Sequence, residues 1–304
     1  MRRQWWVTAI FVATTLLVGA CGGGGNSPTQ TGTTLSAPVP DALKQKGKLV
    51  AGVKCDNPPY GFIDAQGKTV GIEIDYFKRM AQYAFGDANA VELVCNSTAA
   101  RIPSLLSNRV DILAGTLGVT IDRAKVIDFS DPFYTSFSLW LALKDKPFSD
   151  VAYLNGKTMT AITGDAGIAW LGKCLPTTHV LQFATTSQAV ASVADGRSVG
   201  YFDDDTLLVG LAQQDPKFIV TGPLLKVLGY AWAFGVRKGD SQMLAWANAA
   251  IAQMQKEDFF WTTVAKWNPD PKVQEILKAG VRRPDFTPDY KSYQASYSAT
   301  LSCQ

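Results

Sequence analysis

From Leu43 onward the chain alternates short apolar runs with stretches whose apolar positions recur every third or fourth residue. The runs at 49–54, 91–94, 111–114, 138–143, 158–162, 180–183, 198–202 and 229–236 predict β-strands. Between and after them, 75–84, 102–108, 167–173, 187–195 and 242–255 predict helices, and 259–267 closes the body. In the first helix Tyr76, Met80 and Tyr83 form one stripe, with Lys78, Arg79 and Gln82 opposite. A strand apolar on both faces, such as 111–114, belongs in a parallel sheet covered on both sides. Strand and helix in alternation predict an α/β protein of two lobes with parallel-rich sheets, joined by two crossing segments. Ligands of such sheets collect at the carboxyl ends of the strands, which directs attention to the cleft between the lobes. The expected division is 41–140 plus 233–268 for the first lobe, 141–232 for the second, and 269–304 as a C-terminal extension. In that extension Phe286, Tyr290, Tyr293 and Tyr297 either pack along the body, with Cys303 stapled down, or mediate a partner contact, and packing is the favoured expectation.

The N-terminus has a different pattern. Arg2 and Arg3 precede an apolar stretch, 5–20, that falls short of the roughly 20 residues needed to span a bilayer. It reads as a secretory signal. Its end, Leu17-Val18-Gly19-Ala20-Cys21, resembles a bacterial lipobox, which implies that 1–21 hold a signal peptide and a lipidated Cys21. Residues 22–40 are a Gly/Ser/Thr/Pro tether that cannot bury enough apolar surface to fold. The protein is therefore expected outside the cytoplasm, held to a bacterial membrane through its lipid alone. Cys55, Cys95, Cys174 and Cys303 remain, an even number that favours disulfides in an exported chain. Cys55 and Cys95 lie at the ends of two predicted strands. If these strands are parallel neighbours the two cysteines meet, leaving Cys174 for Cys303.

Composition removes several functions. The chain has 304 residues, 47% of them hydrophobic and 18% charged, enough for two domains with real cores. A formal charge of +3, without basic clusters interleaved with aromatics, gives no footprint for nucleic acid. The single histidine, His179, argues against a zinc site and a Ser-His-Asp hydrolase, since both draw on imidazole. Gly22 to Gly25 sit in the tether with no strand before them or helix after, so they make no phosphate cradle. Neither a cofactor nor a metal is expected.

Five blocks in order carry a family resemblance. They are Gly71-Ile72-Glu73-Ile74-Asp75-Tyr76; Arg101-Ile102-Pro103-Ser104-Leu105-Leu106 with Val110-Asp111-Ile112; Thr120-Ile121-Asp122-Arg123; Asp128-Phe129-Ser130-Asp131-Pro132-Phe133-Tyr134; and Gly196-Arg197 running to Asp204. Over about 41–267 the chain resembles family 3 of the bacterial extracytoplasmic solute-binding proteins, receptors for polar amino acids in ABC importers. The resemblance implies a type II periplasmic-binding-protein fold, a hinge-closing cleft, a permease as partner, a monomer, and no enzymatic activity.

It also implies a site. Arg123 offers fork geometry to a solute α-carboxylate, as an arginine suits and a lysine does not. Thr120 adds a hydroxyl and an N–H, Thr116 and Gly118 belong to the same stretch, and Asp204 faces the ammonium across the cleft. Alternation along a strand would send Asp203 and Asp205 to the opposite face. Lys54 and Arg101 sit where the aspartate/glutamate-binding branch directs cations to a distal carboxylate, and Tyr60 offers an apolar wall. Two such cations compensate the desolvation of a second carboxylate, so aspartate or glutamate is the expected solute. Two departures bear on this. Gly118 replaces a common hydroxyl. In Thr163-Gly164-Asp165-Ala166, where Gly164 is expected to present a turn to the solute, Asp165 either caps its helix or turns an anion toward the solute. The second outcome favours a cationic or unusual solute. A sensory receptor, or a dehydratase-like enzyme using Asp165 and Asp204 as acid and base, are the remaining alternatives.

Overall fold

The computed structural model describes residues 35–288 and Cys303, with only the backbone over 223–230. Its elements run α1 (Asp41–Lys46), β1 (Leu49–Val53), β2 (Asp56–Asn57), β3 (Gly61–Ile63), β4 (Thr69–Val70), α2 (Ile72–Phe85), β5 (Val91–Cys95), α3 (Arg101–Leu106), β6 (Ile112–Leu113), α4 (Ile121–Val126) and β7 (Ile127–Leu143). Then follow β8 (Thr158–Ile162), α5 (Ile168–Cys174), β9 (His179–Phe183), α6 (Thr186–Ala194), β10 (Gly200–Asp204), α7 (Asp205–Gln214), β11 (Phe218–Arg237), α8 (Ser241–Lys256), α9 (Phe259–Trp267) and α10 (Pro271–Lys278).

Two long antiparallel strands, β7 and β11, make the molecule bilobal. One end of the pair, with Arg237 opposite Ile127 and Trp232 opposite Tyr134, continues into β6, β1 and β5. The other end, with Phe218 opposite Leu143 and Thr221 opposite Trp140, continues into β10, β8 and β9. Within each lobe the outer strands are parallel, β1 to β5 and β6, and β8 to β9 and β10. The pattern alone predicts only short strands at 138–143 and 229–236. The strands are longer because bulges absorb the irregular stretches, with register shifts from Thr221 to Leu225 and from Leu225 to Tyr230.

Aromatic side chains fill both cores. In the first lobe Phe133 stacks on Phe260 with centroids 5.9 Å apart, and Tyr76 meets Phe260 edge-on at 4.9 Å. In the second, Trp140 packs on Phe202 at 4.7 Å. The stripe expected on α2 is real, with Tyr76, Met80 and Tyr83 buried. Several elements carry no apolar signature. α4 buries no residue at all, and α7 follows β10 without a turn because Asp204 serves as its N-cap.

Both expected cysteine pairs are bonded. Cys55 joins Cys95 with Cα atoms 5.5 Å apart, next to the Val53–Cys95 rung of β1 and β5. Cys174 joins Cys303 with Cα atoms 5.3 Å apart. The extension does pack along the body as far as it is described. Asp270 caps α10, Val273 and Leu277 are buried, and Thr135 N–H donates to Gly280 O at 2.9 Å. Phe286 is half-buried beneath the Arg283 guanidinium, at 5.0 Å. Tyr290, Tyr293 and Tyr297 lie outside the described residues, as do the signal stretch, Cys21 and the tether up to residue 34. Among the described residues no helix is long and apolar enough to cross a membrane, and no cluster of His, Cys, Asp or Glu is arranged to hold a metal.

Candidate functional site

The first lobe brings three cations to the cleft. β1 ends at Val53, and the next side chain, Lys54, is 5% exposed with its Nζ 3.8 Å from Asp56 Oδ1. Arg101 opens α3, where its Nε donates to Thr98 O at 3.2 Å and its Nη1 to Gly115 O. A Cβ on Gly115, at φ +86°, would stand 3.0 Å from Lys54 Cγ and 3.1 Å from Arg101 Cδ. Only glycine leaves room for both stems there. Burial first, and then the nearby Arg123 charge, hold the Arg101 guanidinium down to about 10. Arg123 lies in the first turn of α4, whose N-cap Thr120 accepts from Arg123 N–H at 3.2 Å. Its guanidinium spans the cleft, donating to Gly118 O at 2.8 Å and, on the other lobe, to Gly164 O at 3.2 Å.

A buried acid supports this shelf. Glu73, near the N-terminus of α2, accepts from Gly115 N–H at 2.7 Å and Thr116 N–H at 2.8 Å. It thereby fixes the loop beneath the cations, with Thr116 in the left-handed region at φ +52°. Burial pushes Glu73 up to about 7 against the pull of those two amides. The sequence does hold a trace of it: an acid between Ile72 and Ile74 on an apolar helix face.

The second lobe answers with carboxylates. Asp204 is buried and lines the cavity, as expected. Asp203 lines it too, contrary to the alternation argument. The strand ends at Asp204, which begins a helix, so the side-chain period of two does not survive the junction. Asp203 accepts from Tyr201 Oη and from Asp204 N–H, and Asp205 turns away to accept from Ser136 Oγ at 2.9 Å. Asp165 is not the cap of α5, whose N-cap is Gly167 without a side-chain capping bond. Its Oδ1 accepts from Gly167 N–H at 2.6 Å, just before α5, and its side chain also borders the cavity. Burial, and then the Asp203 charge, push Asp165 up to about 7.

Lys54, Arg101, Thr116, Arg123, Asp165 and Asp204 thus meet in one cavity, together with Thr98, Ile162, Ala166 and Asp203. Thr120, Gly118 and Gly164 border Arg123 without lining it. Tyr60 is a correction: it is wholly buried in the first-lobe core, edge-on to Trp232 at 4.9 Å, and forms no wall of the cavity. An aromatic beside Pro58 and Pro59 reads the same way whether it plugs a core or faces a ligand. The lobes are shut. The cavity is about 10 Å³, room for about one water, so entry of a solute requires the lobes to part.

Two α/β lobes hinged on a pair of crossing strands and closing over a charged cleft define a solute-binding protein of the type II periplasmic class. The sequence pattern of the bacterial extracellular solute-binding proteins, family 3, matches over residues 49–270, and the chain belongs to that family. It is similar to the glutamine-binding protein of Geobacillus stearothermophilus, 30% identical over 71% of this chain and 86% of the relative. It is also similar to the ABC transporter glutamine-binding protein GlnH of Bacillus subtilis (strain 168), 25% identical over 88% and 97%. Among solved structures, the solute receptor for L-cysteine of Neisseria gonorrhoeae superposes with a TM-score of 0.73 at 30% identity, covering 76% of this chain and 97% of that one.

Proposed function

We propose that this protein is an extracytoplasmic receptor that captures an acidic amino acid between its lobes and delivers it to an ABC importer, without catalysis. The observation that carries the reading is the state of two guanidiniums. Arg101 and Arg123 donate only to carbonyl oxygens, and neither joins an ion pair among the described residues. A buried Arg101 and a half-buried Arg123, near carboxylates but in direct ion-pair contact with none among the described residues, suit with Lys54 a solute bearing two carboxylates. Asp204 and Asp203 on the opposite lobe suit its single ammonium. The lobe division at the middle of β7 and β11 supplies the hinge, and the closed form is favoured by contacts that exist only when shut.

A second reading has its own support. Asp165, Asp203 and Asp204 together place as many carboxylates as cations in the cavity, which suits a neutral or cationic amino acid. A thermal-shift panel of the natural amino acids and polyamines separates the two, because a solute binding only the folded state raises the melting temperature. A shift confined to aspartate and glutamate, abolished in Arg123→Ala, supports the first reading. A shift with glutamine or arginine alone replaces it with the second, and silence across the panel removes both. Lipid anchoring rests on Cys21 in its lipobox-like setting, and labelled palmitate incorporation lost in Cys21→Ser tests it.

A further inference from the structure

The lobes are held together outside the solute cavity as well as across it. The contacts of the three residues leaving β1 alternate. Cys55 turns one way, to its disulfide with Cys95, while Lys54 and Asp56 meet on the other side at 3.8 Å. Asp56 is fixed in β2 opposite Phe62, and its carboxylate is 29% exposed. One oxygen faces Lys54. The other accepts from the backbone N–H of Thr186 at 3.4 Å. Thr186 belongs to the second lobe and is the first residue of α6, a nine-residue helix.

A helix start exposes several N–H groups and a partial positive charge. Thr185 Oγ1 takes the one from Gln188, at 3.4 Å, and Asp56 takes the one from Thr186. Asp56 does not line the solute cavity. It borders a separate interlobe groove with Cys55, Pro58, Thr186 and Ser187.

We propose that Asp56 is an interlobe latch, a positioning residue whose carboxylate bonds the N-terminus of α6 only when the lobes are shut; the proposal rests on the receptor reading above. It strengthens the hold on every solute without touching one. Because its other oxygen steadies Lys54, one side chain joins a solute-facing cation to the closing helix. The Cys55–Cys95 disulfide anchors the segment from behind.

Two substitutions on opposite lobes test this in the full chain. Asp56→Ala removes the acceptor. Thr186→Pro removes the donor, and with it the buried Thr186 hydroxyl beside Tyr201, a loss that Thr186→Ala, which keeps the N–H, reports separately. Proline is at home in the first helical position, and Thr185 before it is already extended at φ −130°, ψ 150°, as a following proline demands. Affinities for L-aspartate, L-glutamate, L-glutamine and L-arginine are measured by calorimetry, and release rates by stopped-flow fluorescence. Thr186→Pro is expected to weaken every solute that binds by the same factor, about 5- to 10-fold, as one charge-assisted bond at a part-exposed helix end implies, and Asp56→Ala by at least that factor, since it also releases Lys54. The loss should appear mainly as faster release, and the double variant should be no weaker than the weaker single. Additive losses, unchanged affinity in either variant, or a changed ratio between aspartate and glutamine in Thr186→Pro would each overturn the latch. Should none of the four bind, the receptor reading fails, and small-angle scattering still decides the latch. The wild type should be more compact than Asp56→Ala and Thr186→Pro, and equal radii of gyration overturn it.

Discussion

Replacing Arg101 with methionine keeps the apolar stem and removes the guanidinium. In the closed protein that group is almost wholly buried, is held by the carbonyls of Thr98 and Gly115, and faces the like charge of Arg123. A guanidinium held down to about 10, about two pH units or more below its ordinary value, means that keeping the charge in place costs about 3 kcal/mol, at about 1.4 kcal/mol for each pH unit. A solute carboxylate beside Arg101 offsets that cost, and a neutral side chain does not. Arg101→Met is therefore expected to weaken aspartate and glutamate by about 100-fold, since 3 kcal/mol is about two decades of affinity. Asparagine and glutamine should change by less than about tenfold, the effect of losing one neutral hydrogen bond. Calorimetric titration of all four solutes at neutral pH reads the contrast directly, and the melting temperature of the solute-free variant reports whether the shelf still folds. An equal loss for acids and amides would assign Arg101 to architecture alone and refute the argument. No loss for either would remove it from the site.

Gly164→Ala puts a Cβ 3.0 Å from Ala99 Cα of the opposite lobe, at φ +86°, so closure should be obstructed. Affinity should fall at least about tenfold while solute-free stability drops by about 1–2 kcal/mol, the cost of left-handed backbone for alanine; calorimetry and thermal melts check both. Replacing Cys55 and Cys95 by serine releases a loop closed over 40 residues, worth about 4 kcal/mol in the chain-entropy account. That implies a melting temperature lower by about 8–16 °C, and a wild type indifferent to reductant would contradict it. Stability should also depend on pH in an unusual direction. Glu73, Asp165 and Asp205 are each raised by burial to about 7 from ordinary values of 4.5, 3.8 and 3.8. Between those limits the folded protein keeps protons that the unfolded chain has released, so the stabilisation is full below about pH 4 and is lost as pH rises to about 7. The melting temperature should fall between pH 5 and 8, and a rise over that range would show that these carboxyls ionise freely in the fold.

The lobes could be read in the sequence because their parallel strands are apolar on both faces. β1 buries all five of its residues, and a continuous apolar run is the only way a strand with two covered faces can look. The hinge was legible only at its ends. Asp128, Ser130, Asp131 and Pro132 interrupt the apolar pattern of β7, yet the strand continues because tertiary partners take up the polar groups: Ser130 Oγ accepts from Phe234 N–H at 2.9 Å, and Asn248 Oδ1 accepts from Asp131 N–H at 2.7 Å. No local window contains Phe234 and Asn248 along with β7.

The site divides along the same physical line. Lys54, Arg101, Arg123, Asp165 and Asp204 were legible because a charged side chain at the end of an apolar run has few structural uses, and all five do reach one cavity. What the sequence withheld were partners made of backbone. Arg101 and Arg123 are held by carbonyls of Thr98, Gly115, Gly118 and Gly164, and Glu73 by the amides of Gly115 and Thr116. Every residue has such groups, so residue identity says nothing about which ones are used. The distinction bears on the choice of solute. Had the arginines been paired with Asp165 and Asp203, the cleft would be electrostatically complete and suited to a neutral guest. Their direct contacts are instead with carbonyl dipoles, while the carboxylates of Glu73, Asp165 and Asp204 act on Arg101 without forming an ion pair with it, so under the proposed reading a guest carboxylate would make the direct pairing that the protein's own acids do not.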